Sequence, residues 1–348
     1  MGEDGLGLWT GIGTLVAAAL TSAALIVLLR PLLQRYALAR PNARSSHREP
    51  TPQGGGIAVI AATVIATVAG VGLLGNLGSA REVFIALAAT VFIAVVGGVD
   101  DLRPLPIVPR LVLQAIAVTL LVAAMPGDVH ILPLLPIWAE RLCLVVGLVW
   151  FVNLANFMDG IDWITVAEVV PVTAAVAFLG HMSAAPPPFM ILALALLGAM
   201  LGFAPFNKPV AKLFLGDVGS LPIGLLLGWL LLQLARDGQA AAAVLLPLYY
   251  LADASITLVR RIMAGEPFWQ AHRSHFYQRA CDMGFTVRAI VGRVFLTNLA
   301  LAALAFLTVL EREPGAIMFS LAGGGALVTW LLASFTRKQP RGATRPRR

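Results

Sequence analysis

Residues 84–101 read FIALAATVFIAVVGGVDD, an uncharged run that stops on two adjacent aspartates. A helix that crosses a bilayer needs about 17–25 predominantly apolar residues, and this run with Val83 falls inside that range. Runs of the same kind recur on both sides of it over almost all of the 348 residues. The chain is 59% hydrophobic and 12% charged, with a mean hydropathy of +0.85. A soluble globular chain is about 45–50% apolar and about 25% charged. The composition therefore excludes a water-soluble domain, a disordered chain and a fibrous one. The expected fold is all-α: a polytopic membrane protein.

Apolar runs bounded by charge, Pro and Gly give about eleven spans. Their limits are 8–29, 55–75, 83–99, 109–125, 138–155, 163–180, 187–205, 219–235, 239–258, 289–310 and 315–335. Glu3 and Asp4 stand where a signal peptide would be basic, so the first run is expected to stay as a span. Putting the N-terminus outside places all but four of the 25 Lys and Arg (Arg81, Arg141, Arg236 and Arg312) on the cytoplasmic side. Positive charge prefers that side, so the C-terminus is expected in the cytoplasm and the protein in the inner (cytoplasmic) membrane. Residues 1–336 then form one transmembrane domain, and 337–348 a basic, Pro-rich, disordered tail touching anionic lipid. The formal charge of +7 reads as topology and lipid contact, with no nucleic acid. Cys143 and Cys281 imply no disulfide framework.

Five polar clusters fall on the cytoplasmic side. Asp100 and Asp101 repel each other at a membrane edge, so they call for a cation or phosphate partner, or else form a polar helix stop. In NLANFMDGID, residues 153–162, a helical turn would put Asn156, Asp159 and Asp162 roughly on one face, as oxygen ligands for a hard cation; a plain Asn/Asp/Gly turn is the alternative. In LFLGDVGSLPIG, residues 213–224, Asp217 lies in a Gly turn at a helix start, able to face a metal or simply to cap the helix. The loop RRIMAGEPFWQAHRSHFYQRACDMGF carries Arg260, Arg261, Arg273, Arg279, His272 and His275 among aromatic residues, suited to phosphates or to the membrane interface. In RSSHREPTPQGGGIAV, the glycines around Gly55 could cradle a phosphate or pack helices closely. Glu168 and Asp253 lie inside spans, and Asp253 is expected to face the cavity near Arg260 or to pair internally. Carboxylates and amides for Mg²⁺ beside arginines and histidines for phosphates, all on one membrane face, point to phosphoryl transfer.

The motifs PTPQGGGIA, GVDDLRP, NLANFMDGID, FLGDVGSLPIG, PLYYLADASITLVRR and HRSHFYQR, in this order, resemble the signature of the polyprenyl-phosphate N-acetylhexosamine-1-phosphate transferases. The resemblance runs from about Pro50 to Arg279, closest in HRSHFYQR to the O-antigen-initiating subgroup. It implies a helical membrane fold with a cytoplasmic site. It implies Mg²⁺, with Mn²⁺ as substitute, and transfer of a sugar phosphate from a UDP-N-acetylhexosamine to undecaprenyl phosphate with release of UMP. A homodimer is compatible with it. By resemblance, Asp217 is the metal aspartate and Asn156 helps hold metal and pyrophosphate. Asp100 and Asp101 are the paired catalytic aspartates. Asp159 and Asp162 lie near metal and nucleotide, and His272, Arg273 and His275 contact pyrophosphate and sugar. Where many members carry a lysine, Arg110 stands near the place, as a phosphate contact. Tyr277 and Gln278 replace the consecutive histidines of the peptidoglycan branch, which argues against the muramoyl-pentapeptide donor. A transporter or flippase is the rival class; it would put polar residues on broken helices near the midplane rather than at one face.

Overall fold

The computed structural model describes residues 3–39, 50–75, 80–127, 129–183, 185–267 and 273–338. Each apolar run becomes a helix, because a backbone in hydrocarbon must satisfy its own N–H and C=O groups. In order these are α1 (Glu3–Tyr36), α2 (Gly55–Leu74), α3 (Arg81–Leu102), α4 (Ile107–Ala123), α5 (Ile137–Met158), α6 (Ile164–Met182), α7 (Pro187–Phe203) and α8 (Asp217–Arg236). They are followed by α9 (Ala240–Leu245), α10 (Leu248–Met263), α11 (Phe276–Asp282), α12 (Val287–Leu310) and α13 (Pro314–Phe335).

Among the described residues, eight helices are long and apolar enough to cross a membrane: α1, α2, α3, α5, α6, α8, α12 and α13. The other three expected spans differ. α4 and α7 are apolar but only 17 residues each. The run 239–258 is not one helix, because Pro247 has no N–H to continue the ladder and separates α9 from α10. The all-helical expectation also needs one addition, a two-residue antiparallel ladder of β1 (Leu38–Ala39) and β2 (Thr51–Pro52). The tail from 339 onward lies outside the described residues.

α8 is the central element: 89% of its apolar stretch is buried, against 22% for α1. Helices in lipid gain little from hydrophobic association, so close packing over small residues must hold them together. The α2–α8 crossing is built this way. A Cβ on Gly56 would stand 2.2 Å from the Gly219 Cα, so only two glycines let the backbones approach so closely. The Gly55 and Gly56 N–H groups donate to the carbonyls of Phe214 and Leu215. These bonds tie the start of α2 to the strand-like segment before α8. The C-terminal ends of α3 and α5 and the N-terminal ends of α4, α6 and α8 converge on this same end of the bundle.

Candidate active site

The site is organised by the first turn of α8. Gly216 precedes the helix with φ 77°, a left-handed conformation that favours glycine. Having no side chain, it cannot cap the helix itself. The cap comes from α3: Asp101 accepts the Asp217 N–H on Oδ1 and the Val218 N–H on Oδ2, both at 3.0 Å. Gln53 donates from Nε2 to the Asp101 carbonyl at 3.2 Å. One turn earlier on α3, a Cβ on Gly97 would come within 2.2 Å of the Asp217 carbonyl oxygen, so α3 lies directly on the start of α8.

Asp100 points elsewhere. Its Oδ1 accepts the Leu105 N–H at 2.5 Å, and its Oδ2 pairs with Arg110 Nη1 at 2.7 Å. The same Arg110 nitrogen stands 3.8 Å from Asp217 Oδ2, so the guanidinium lies between the two carboxylates. Across the bundle, Asn156 donates from Nδ2 to Asp217 Oδ1 at 2.8 Å and to Ser220 Oγ at 2.9 Å. Asp217 keeps 30% of its side chain exposed, enough to meet a ligand. Arg110 Nε is buried with no partner among the described residues, a donor left over for an anion.

Two expected residues, Asp162 and Gly55, take up other work. α5 ends at Met158, so Asn156, Asp159 and Asp162 do not share a helical face. The turn needs Trp163 at φ 65°, whose N–H and Nε1 donate to Asn207 Oδ1 and the Ala204 carbonyl. Asp162 is buried and accepts the Ala211 N–H at 3.0 Å, holding the loop that leads into α8. Gly55 spends its N–H on Phe214, and a Cβ there would stand 2.7 Å from the Phe203 ring. It is a packing residue, and its amide is not open to a phosphate. Asp159 stays near the acids. It accepts from Thr165 Oγ1 at 2.5 Å, and its carboxyl is pushed up to about 6. Burial is the main cause, opposed by the Thr165 hydrogen bond and reinforced by the charges of Asp101 and Asp162.

His272 lies outside the described residues. Arg273 pairs with Asp282 at 3.5 Å, and its Nε has no partner among the described residues. His275 is buried, and its Nδ1 lies 3.3 Å from Asp253 Oδ1. Asp253 does not face Arg260. It is fully buried and also accepts the Phe276 and Tyr277 N–H groups at 2.9 and 3.2 Å and the Tyr249 hydroxyl at 3.2 Å. Tyr277 then donates to the Phe157 carbonyl at 2.9 Å, joining α11 to the end of α5. Asp253, Thr165, Ser220 and Gln53 were not predicted as site residues. A carboxylate inside a span was the one available signal, and it pointed to Asp253.

No group of three or more His, Cys, Asp or Glu among the described residues has metal-binding geometry. Mg²⁺, however, is commonly held by one or two carboxylates, with waters and substrate phosphates completing its shell. The part-exposed Asp217 carboxylate, close to the Asn156 amide, fits that mode.

The sequence model of glycosyl transferase family 4 matches residues 83–235. That stretch runs from α3 to the end of α8 and contains Asp100, Asp101, Arg110, Asn156, Asp159, Asp162 and Asp217. Over this stretch the chain is similar to glycosyl transferase family 4. Similarity to single proteins extends over greater length. The chain is 25% identical over 297 residues to a probable undecaprenyl-phosphate N-acetylglucosaminyl 1-phosphate transferase of Bacillus subtilis, covering 81% of each. It is 27% identical over 361 residues to the decaprenyl-phosphate N-acetylglucosaminephosphotransferase of Mycolicibacterium smegmatis, covering 91% of this chain and 87% of the relative. A phospho-N-acetylmuramoyl-pentapeptide-transferase of Anaplasma marginale is 27% identical over 54% of this chain and 61% of its own.

Proposed function

We propose that this protein transfers N-acetylhexosamine 1-phosphate from a UDP-sugar to undecaprenyl phosphate at the cytoplasmic face of the inner membrane. The observation that carries the reading is the Asp100–Arg110–Asp217–Asn156 cluster at the start of α8. A part-exposed carboxylate and a guanidinium with a spare donor stand together there, at the end of an apolar bundle. The relatives named for polyprenyl phosphate and N-acetylglucosamine favour UDP-N-acetylglucosamine as donor. The muramoyl-pentapeptide reading is weaker, resting on a relative matched over about half of the chain.

A lipid phosphate oxygen attacks the sugar-bearing β-phosphorus. A new P–O bond forms, the P–O bond to the α-phosphate breaks, and UMP leaves with the bridging oxygen. A phosphate monoester has a second pKa of about 6, so the nucleophile is already ionised at neutral pH and no strong base is required. The protein's part is positioning and charge neutralisation. Mg²⁺, held by Asp217 with Asn156, would offset the pyrophosphate charge. Arg110 is placed to bind a phosphate oxygen while Asp100 holds the guanidinium. Both Asp100 oxygens are engaged, which favours direct displacement over an aspartyl-phosphate. Arg273, with its spare Nε, is the basic-segment residue proposed to meet the donor.

The test is UMP release by the purified full chain with undecaprenyl phosphate and a panel of UDP-sugars. Release with a UDP-N-acetylhexosamine and none with UDP-muramoyl-pentapeptide is expected. The opposite pattern, or no release with any donor, overturns the reading. Orientation has its own test, in a background lacking Cys143 and Cys281. An impermeant thiol reagent on intact cells should label Glu311→Cys, in the α12–α13 connection, and miss Met263→Cys; the reverse labelling would turn the site to the other face.

A further inference from the structure

We propose that the adjacent aspartates divide the work: Asp100 holds Arg110, whereas Asp101 is a positioning residue that caps α8 from another helix and thereby sets Asp217. The inference rests on the function proposed above only for what Asp217 does. The cap stands on geometry alone. The first amides of a helix have no partner within it, and a residue at the N-cap ordinarily supplies the acceptor. Here the N-cap is Gly216, which offers none. Asp101 fills the gap with both oxygens, one on Asp217 itself and one on Val218.

Three further features serve that contact. Gly216 must be small, because a Cβ would stand 2.6 Å from Asp101 Oδ2. Gly97 lets α3 lie on the Asp217 carbonyl. Gln53 holds the Asp101 carbonyl from the start of the α2 segment. Both Asp101 oxygens are engaged by backbone donors, whereas Asp217 keeps 30% of its side chain exposed. Asp100 differs on each count: it holds Arg110 and Leu105 and touches no α8 amide.

Asparagine separates a cap from a chemical role. Its amide oxygen still accepts one N–H, and asparagine is a good N-cap residue, yet it can neither take a proton nor form an acyl phosphate. Alanine removes every acceptor. The experiment compares the full-length wild type, Asp101→Asn and Asp101→Ala in one detergent. It measures amide exchange over residues 213–224 by mass spectrometry and UMP release per folded molecule. The cap predicts faster exchange and lower kcat in the order Ala, then Asn, then wild type, with losses of about a hundredfold and about tenfold and little change in KM for the donor. Equal, complete loss in both variants with unchanged exchange would make Asp101 a chemical group and overturn the proposal. Faster exchange with wild-type kcat would overturn it too, because the cap would then stabilise α8 without setting Asp217. A wild type that releases no UMP would fail the proposed function, while faster exchange in the variants would still support the cap.

Discussion

The two ends of the bundle carry charge in opposite ways. At the end formed by the start of α3 and the close of α8, Glu82 accepts from Arg236 at 2.7 Å and from Gln233 at 2.9 Å. The buried Glu140, at the start of α5, meets His130 at 2.9 Å and the Ile131 N–H at 2.7 Å. Glu82 thereby ties α3 to α8, and Glu140 ties α5 to the segment before it. At the other end Asp100 and Asp217 share Arg110, and the charge of Asp101 acts on both Asp217 and Asp159. Backbone amides satisfy Asp101, but an excess of negative charge remains with Asp217 exposed to it. A fold gains nothing by concentrating like charges in a poorly solvated place. The paired acids at one end read as structure, and the crowded acids at the other are where the proposed function puts a cation and a phosphate.

The largest expected effect tests that contrast directly. Asp217→Ala should lower UMP release about a thousandfold at saturating Mg²⁺ while the protein keeps its thermal midpoint. Near-normal turnover would remove Asp217 from the chemistry. Next comes Arg110→Ala, expected to cost about a hundredfold, with Arg110→Lys restoring part, because an ammonium keeps the charge but loses the planar fork. Full recovery by Lys would reduce the role to charge alone. In the basic segment, Arg273→Ala should slow turnover about tenfold more than Arg279→Ala; equal small losses would return this segment to a membrane-surface role.

The smallest effects are on stability, and they should differ in sign between the two ends. Asp159 has a higher pKa folded than unfolded, so the folded state holds its proton longer. Its ionisation weakens the fold as pH rises from the ordinary carboxylate range through about 6. Asp159→Asn keeps an acceptor for Thr165. Without Mg²⁺ it should raise the thermal midpoint at neutral pH and flatten its fall with pH. Glu82→Gln breaks the pair with Arg236 and should lower the midpoint by about 0.2–1 kcal/mol of stability, leaving UMP release unchanged. Thermal unfolding of both variants across pH measures this, and a loss of stability in Asp159→Asn would contradict the charge-excess reading.

Much of this architecture is legible in the sequence because burial in a bilayer imposes a rule on every apolar run. No water is there to satisfy a backbone, so a long uncharged run must become a helix. That is why each run coincides with helix, even where Pro247 divides one of them in two. The motif residues Asp100, Asn156 and Asp217 were legible as a polar cluster on one side for the same reason: side chains of that cost are not placed at random near hydrocarbon. Less legible was the function of each acid. Asp162 and Asp159 belong to one DGID stretch, yet Asp162 holds the Ala211 amide and Asp159 sits with the charged group.

Sequence alone determined the class of the protein, the positions of its helices and the end at which its polar residues gather, since these depend on local hydropathy and charge. Only the tertiary structure decided which carboxylate meets which partner. Asp101 and Asp217 are 116 positions apart, and Asp253 and the Phe276 amide it holds are 23 apart. Such contacts depend on helix crossings set by the close approach of Gly56 to Gly219 and of Gly97 to Asp217. A glycine in the sequence does not say which backbone it admits. A hydrogen bond acts only over about 3 Å, so the division of work between neighbouring aspartates appears only once the helices are packed.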